Sequence, residues 1–412
     1  MSYLFGHNLS IHSLKIIEIL FKYRGMTANQ IAHMIHSGHY TLAQEKSVYN
    51  YLGKLKKQKL VNSYRLQGSF SRGSMYYLSE KGYELAKHWL NIEQEQKGDG
   101  WILSDQLHGE GYADLPYDVY KPPLEQTTHH LLLIEFFKQL KMIEGIDLYH
   151  RLNLYASKKY QVDGQMYRYR PDAEIKLADG RIFAIEIDRA TETHEQLRKK
   201  FKTYRNYLEY LRKTEQPIPT GIIFVVEAKR REHGMKRRWE NMMSAFFEEI
   251  GDFHKDFYLV MTSMDRVPDT VLFEHYRVEY EKAASVAIRK ELENVYDKVS
   301  NYAKRNPIRN IFSIAIHKKS GLFDLYSNVV CHEMDTALYS RVYDFYQRFE
   351  PEAKKYDEVK DYDLNATYIN CIFVEKPFII QSLDSYEVDE LLKKTARSLQ
   401  RHCCYIQLER IE

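Results

Sequence analysis

The sequence predicts a multidomain chain of mixed α/β and α+β class. A basic module of three helices and two strands is expected over residues 1–90, and a linker over 91–126. A central αβββαβ core follows over 127–265, and a small α+β domain over 266–412. Three observations predict this order. Apolar residues recur at helical spacing near the N-terminus and as short strand-like runs in the centre. Gly98, Gly100, Gly109, Gly111, Pro116, Pro122 and Pro123 gather between Asn91 and Gln126, where no long periodic run survives. Charge is uneven: residues 1–90 hold nine Lys and three Arg against four Glu and no Asp, although the whole chain is only +3. A module with eight excess positive charges on a mildly acidic remainder points to nucleic acid. The 412 residues suffice for two or three domains, and 28% charged and 44% hydrophobic residues are ordinary for a globular protein.

In the first module Ile11, Leu14, Ile16, Ile17, Ile19, Leu20 and Phe21 form a helical stripe that Gly25 stops. Thr27 is an N-cap for a second helix with Ile31, Ala32, Met34 and Ile35. Thr41 caps a third, with Val48, Tyr49, Leu52 and Leu55 facing inward and Lys46, Ser47, Asn50, Lys54, Lys57 and Gln58 outward. Strands at 61–66 and 74–78 flank a polar turn with Arg72, and Ser79 caps a last helix to Leu90. This order predicts a winged helix-turn-helix, and it resembles bacterial winged-helix DNA binders. Double-stranded DNA is the expected partner, with Lys46, Ser47, Asn50, Lys54 and Lys57 facing the major groove and Arg72 reaching from the wing.

The centre opens with a helix from Thr127 or Thr128 to near Gly145, then a strand over 148–155. Tyr169–Ile175 and Ile182–Arg189 read as a hairpin around Asp179–Gly180. A hairpin sets Asp172 beside Glu186, and Asp188 shares a strand face with Glu186. Such an acidic cluster repels itself unless a cation neutralises it, and hard oxygens suit Mg²⁺ or Mn²⁺. The plainer alternative is a solvated hairpin whose acids face water. A basic helix over 194–212, a buried strand over 220–226, a helix over 235–250 and a strand over 257–261 complete the core. Lys199 and Lys202 on the basic helix are candidate DNA contacts, and the run from Lys229 to Arg238 is either a solvated face or a backbone contact.

With Pro171–Asp172 and Glu186 on its second and third strands, the stretch Thr127–Met264 resembles the PD-(D/E)xK nuclease core, a restriction-endonuclease-like fold. The resemblance implies that Asp172 and Glu186 bind the metal. Asp188 stands where that family has Lys. Either Asp188 is a further ligand, or Arg189 or a helix lysine (Lys199, Lys200, Lys202) supplies the charge, or the centre is a binding-only version. Arg170–Pro171–Asp172 with Glu186–Ile187–Asp188–Arg189–Ala190–Thr191–Glu192, behind a winged helix, resembles the replication-relaxation family, related to conjugative relaxases of the MOB-C class. Ala190 replaces the usual Gly of that motif. The resemblance covers roughly residues 8–265. It implies a metal-dependent endonuclease, a relaxase-like nickase at a plasmid or mobile-element origin, with conjugation or replication proteins as partners. Asp172, Glu186, Asp188 and Arg189 form the expected catalytic set, Arg189 offsetting charge on the transition-state phosphate. The alternative is a non-catalytic DNA-binding accessory or regulator that keeps the fold.

Other chemistry is weaker. No GxxxxGK[ST] phosphate loop occurs, which argues against a nucleotide-driven motor, and His33 and His36 lack the His-x-His spacing of other relaxases. His129 and His130 point to different faces and are not natural co-ligands, and Glu135 is a weak candidate ligand. Thr191 and Glu192 precede a helix and read as its N-cap region. Cys331, Cys371, Cys403 and Cys404 form no CxxC pair and read as reduced thiols, and His332 as ordinary surface. No signal peptide or membrane-length apolar run is read, so a cytoplasmic protein without membrane contact is expected. The last domain is expected to have a helix over 276–302, strands over 311–316 and 368–374 and helices over 335–349 and 388–402. It is expected to serve protein contacts or a homodimer.

Overall fold

Side-chain caps fix where the N-terminal helices begin. The structure, a computed structural model, describes every residue except 1, 5, 37–39, 68–72, 104–110, 163, 190, 228–232, 307, 381 and 411–412. The chain forms two compact units. One holds Met1–Lys159, Arg168–Arg189 and Ser263–Pro268, the other Tyr160–Tyr167, Ala190–Thr262 and Asp269–Glu412.

In the first unit, Ser10 caps α1 (Ile11–Tyr23), and Leu14, Ile16, Ile17 and Leu20 are buried along it. Arg24 ends the helix at φ +70 and leads into β1 (Gly25–Thr27). Thr27 caps α2 (Ala28–Ile35) and Thr41 caps α3 (Leu42–Lys57), each in a reciprocal capping box with Gln30 or Gln44. Then come β2 (Val61–Arg65), β3 (Ser74–Leu78) and α4 (Glu80–Trp89). The three strands form an antiparallel sheet in the order β1-β3-β2. The contribution of β1 was not foreseen. A Cβ at Gly82 would meet the carbonyl oxygen of Leu60 at 2.0 Å, so α4 packs against the chain at a position where only glycine fits. Val48, Leu52 and Leu55 of α3 are buried, but Tyr49 is 48% exposed and corrects the expected inward set. Val48, Leu52 and Leu55 lie within about 60° of one another around the helix, and Tyr49 falls about 60° further round, at the margin of that stripe.

The stretch 91–126 is held down by side chains in this unit. The Arg24 guanidinium donates to the carbonyls of Val119, Tyr120 and Lys121. Tyr120 stacks on Tyr83 with centroids 4.2 Å apart. Within this stretch β4 (Ile102–Leu103) pairs with β5 (Leu148–Leu152), which follows α5 (Thr127–Leu140). The strand expected over 148–155 gives way after Leu152 to a short helix, Asn153–Ala156. Next in this sheet come β6 (Ala173–Leu177) and β7 (Ile182–Asp188), giving the antiparallel run β7-β6-β5-β4 in this unit. Gly180 takes φ +88 in the turn between them, as the Asp-Gly pair requires. An additional hairpin, Lys158–Val162 with Gln165–Tyr169, precedes β6 and was not foreseen.

In the second unit Thr193 caps α6 (His194–Lys213), one residue beyond the Thr191–Glu192 pair expected to cap it. Its buried stripe of Leu197, Phe201, Tyr204 and Leu208 faces β8 (Gly221–Val226) and α7 (His233–Ile250), where Phe201 meets Phe224 and Phe246. All six residues of β8 are buried, and β9 (Tyr258–Ser263) lies beside it. Then comes α8 (Val267–Glu293), which starts nine residues before the expected helix and stops nine short of it. Residues to 302 are not helical: β10 (Lys298–Asn306) begins a hairpin with β11 (Ile308–His317), and alternating Val299, Asn301 and Ala303 suit that pleat. β12 (Leu322–Cys331) was not foreseen, because its apolar residues are interrupted by Asp324, Ser327 and Asn328, all buried, Asp324 and Asn328 with side-chain hydrogen bonds. After α9 (Ala337–Asp344) come β13 (Asp363–Phe373), α10 (Glu390–Arg401) and an unforeseen edge strand, β14 (Cys403–Gln407). The sheet order is β10-β11-β12-β13-β14, antiparallel to β12 and parallel beyond it. No helix among the described residues is long and apolar enough to cross a membrane.

Candidate functional site

The outward face of α3 is one candidate surface. Lys46, Ser47, Asn50, Lys54 and Lys57 are all exposed on it, while Val48, Leu52 and Leu55 anchor the opposite face. Ser47 Oγ donates to the Ala43 carbonyl at 3.0 Å, so it faces outward as an acceptor. Lys56 Nζ donates to Ser63 Oγ at 2.7 Å and ties the helix to β2. Arg72 lies outside the described residues.

The second candidate site starts from the register of the β6–β7 hairpin. Ala173 pairs with Ile185, and one step further the N–H of Asp172 donates to the Ile185 carbonyl at 3.0 Å. This register sets Asp172 across from Glu186, on the same sheet face. Asp172 Oδ2 accepts the N–H of Ile187 at 2.8 Å. Its Oδ1 accepts from His129 Nε2 at 2.8 Å; a carboxylate only accepts, so that ring nitrogen carries the hydrogen. Asp172 is half-buried, Glu186 and Asp188 are buried, and Arg189 is exposed. Asp172, Glu186 and Asp188 thus share one edge of the sheet. Among the described residues, however, no set of three or more His, Cys, Asp and Glu side chains is gathered so as to hold a metal ion.

Sequence reasoning missed three neighbours on this face. Glu174 is buried two residues from Asp172, and it accepts from Arg151 at 2.5 Å and from Tyr169 Oη at 2.9 Å. Burial raises the carboxyl pKa of Glu174, and Arg151 partly offsets that. The i, i+2 spacing from Asp172 was a readable signal for Glu174. Nothing local marks Arg151, which arrives from β5 opposite Glu174.

His129 was underrated and the other helix candidates turn structural. Its neighbour His130 is buried on the opposite side and donates to the Gly25 carbonyl at 2.9 Å. Burial pushes His130 down to about 3. Glu135 accepts from Gln30 of α2 at 2.6 Å and from Lys138 at 2.7 Å. In the second unit Lys199 and Lys202 are exposed on α6, Lys199 pairing with Glu195 at 2.8 Å. Glu192 pairs with Lys200 at 3.0 Å, and its carbonyl accepts from Arg238 at 2.6 Å. Arg238 is therefore buried rather than part of a solvated basic face, and Lys236 stacks over Phe378. Residues 229–232 of that run lie outside the described residues. His332 is likewise buried, beside Thr270 at 3.1 Å, which corrects its reading as surface.

No curated protein matches the chain. Among solved structures, a mutant of Lactococcus lactis ZitR is similar over 22% of this chain and 60% of its own, at 22% identity and a TM-score of 0.18. That superposition is too loose to support a fold assignment. The family model for replication-relaxation matches residues 17–223, from the first helix through the acidic hairpin to β8. That match spans just over half of the sequence, and the chain belongs to the replication-relaxation family.

Proposed function

We propose that this chain processes the DNA of a plasmid or other mobile element: it binds an origin-type duplex site and nicks or relaxes it. The N-terminal module acts as a winged-helix reader, and the elements from α5 to β9 act as a PD-(D/E)xK-like core. The observation that carries the reading is the exposed row Lys46, Ser47, Asn50, Lys54 and Lys57 on a helix with an N-terminal capping box, in a module with a three-stranded sheet. A helix of this kind fits the major groove, where lysines neutralise phosphates and Asn50 can bond an adenine edge in two places.

Cleavage is assigned to the edge of the β6–β7 hairpin. Asp172, Glu186 and Asp188 are hard oxygen donors, the kind that suits Mg²⁺ or Mn²⁺, and the two buried acids of β7 share a face. The three are not gathered into a ligand set among the described residues; Asp172 and Glu186, opposed across the hairpin, are the pair that would hold an ion, which when bound would supply positive charge to polarise the scissile phosphate. The chain's own groups do the rest. His129 and the Ile187 N–H hold the Asp172 carboxylate in one orientation. Arg189, one residue past Asp188 and exposed, would meet the charge of a transition-state phosphate. In the second unit, exposed Lys199 and Lys202 on α6 are proposed as separate contacts to the DNA backbone. Conjugation or replication proteins would assemble on the same DNA.

A second reading, a non-catalytic DNA-binding accessory, is favoured by one observation: both oxygens of Asp172 are already engaged by His129 and Ile187. A supercoil-relaxation assay with Mg²⁺ or Mn²⁺ separates the two. Open-circle product from the wild-type chain, lost in the Asp172→Ala, Glu186→Ala double variant, supports cleavage. Equal nicking by both, or none by either while both bind duplex DNA, removes it.

A further inference from the structure

Within the second unit, α8 leaves a cavity of about 160 Å³ against the sheet β12-β13-β14. Its walls are mainly apolar: Ala284, Ile288 and Leu292 from α8, Ile372 from β13, and Ile406 and Leu408 from β14 and its continuation, with Glu291 and Tyr326 also lining it. A void of about 150 Å³ admits one benzene ring. Unfilled, its lining forgoes the dispersion contacts that a packed core has. Elsewhere in this unit the packing is close: Phe312 and Phe349, for example, stack at 4.5 Å.

One wall is polar, and a chain of hydrogen bonds fixes what it presents. Asn301 Nδ2 donates to the Ser285 carbonyl at 3.2 Å. Ser313 Oγ donates to Asn301 Oδ1, Asn328 Nδ2 to Ser313 Oγ, and Asn370 Nδ2 to Asn328 Oδ1, each at 2.8 Å. A backbone carbonyl can only accept, so the direction of every link follows from the first. The chain crosses β10 to β13 and ends at Asn370, which is 5% exposed and lines the cavity. One of the two Asn370 amide hydrogens is committed to Asn328, which fixes the orientation of the amide and leaves Oδ1 as its acceptor. Four side chains on four strands thus orient one amide beside an apolar space. An amide held in this way offers a ligand one polar partner in an otherwise apolar space, which a pure hydrocarbon would not use.

We propose that this cavity is a binding site for a small, mainly apolar molecule of single-ring size that carries one O–H or N–H donor. A phenol or an indole has this chemistry. The ring fills the space among Ala284, Ile372 and Ile406, and the donor reaches Asn370 Oδ1. Occupancy fastens α8 to β13 and β14, so the site is one through which a small molecule stabilises the C-terminal sheet.

Saturation-transfer NMR with the full chain tests this, with phenol as the probe and toluene as its donor-free counterpart. Phenol is expected to receive saturation from the wild-type chain, and toluene to bind about fivefold more weakly, the ratio for one modest hydrogen bond. Ala287 is exposed at the mouth of the cavity, so Ala287→Phe places a ring across it without disturbing the buried core. This variant is expected to lose transfer to phenol, whereas Ala287→Ser, which leaves the mouth open, keeps it. No transfer to phenol from the wild-type chain overturns the proposal. So does equal transfer from wild-type and Ala287→Phe, or toluene binding as tightly as phenol.

Discussion

The His129 ring and the Asp172 carboxylate meet at 2.8 Å, joining the start of α5 to the strand that carries the acidic edge. The second oxygen of the same carboxylate closes the strand pair by taking the Ile187 N–H. Asp172 therefore does two jobs at once. It is a candidate metal ligand, and it stands in for the backbone acceptor missing where β6 begins.

Removing that carboxylate should cost stability as well as activity. Asp172→Ala leaves the Ile187 N–H without its acceptor, a loss of about 1–3 kcal/mol. Asp172→Asn retains a side-chain oxygen and should lose less. Urea denaturation of both variants checks the order, and a wild-type midpoint for Asp172→Ala would contradict it. The order matters for any nicking assay, because a fall in activity with Asp172→Asn cannot be ascribed to unfolding.

Buried histidines set an acid limit on the fold. His130 titrates at about 3 in the folded chain because burial opposes its charge, against an ordinary value of 6.5. Between those values the unfolded chain binds the extra proton. The stability His130 provides is complete above pH 6.5 and is lost as pH falls towards 3, by about 1.4 kcal/mol per pH unit. His254, pushed down to about 4 by burial, acts in the same direction. His130→Gln keeps a donor for the Gly25 carbonyl and removes the titration. Its stability should depend less steeply on pH between 4 and 6 than that of the wild-type chain, and identical slopes would contradict the account.

Local signals made the first unit legible. Thr27, Thr41 and Ser79 are small hydroxyl residues before apolar periodic runs, and each caps the helix that follows. Asp179–Gly180 announced its turn in the same way. The C-terminal sheet was harder to read because its strands bury polar ladders. Asn301, Ser313, Asn328 and Asn370 bond to one another across four strands; the strands of Ser313 and Asn370 were marked by apolar runs at 311–316 and 368–374, whereas those of Asn301 and Asn328 were not. At the acidic edge the pairing of Asp172 with Glu186 followed from hairpin register. His129 and Arg151 did not, because they reach that edge from elements 40 and 20 or so residues away, and only tertiary packing brings them there.

The most direct test of the account is the salt dependence of duplex-DNA affinity for the full chain and its Lys54→Ala, Lys57→Ala variant. Each lysine that neutralises a phosphate adds about 0.9 to the slope of log K against log salt. The account predicts weaker binding by the variant and a slope shallower by about two. An unchanged affinity and slope would contradict the assignment of α3 as the DNA-reading helix.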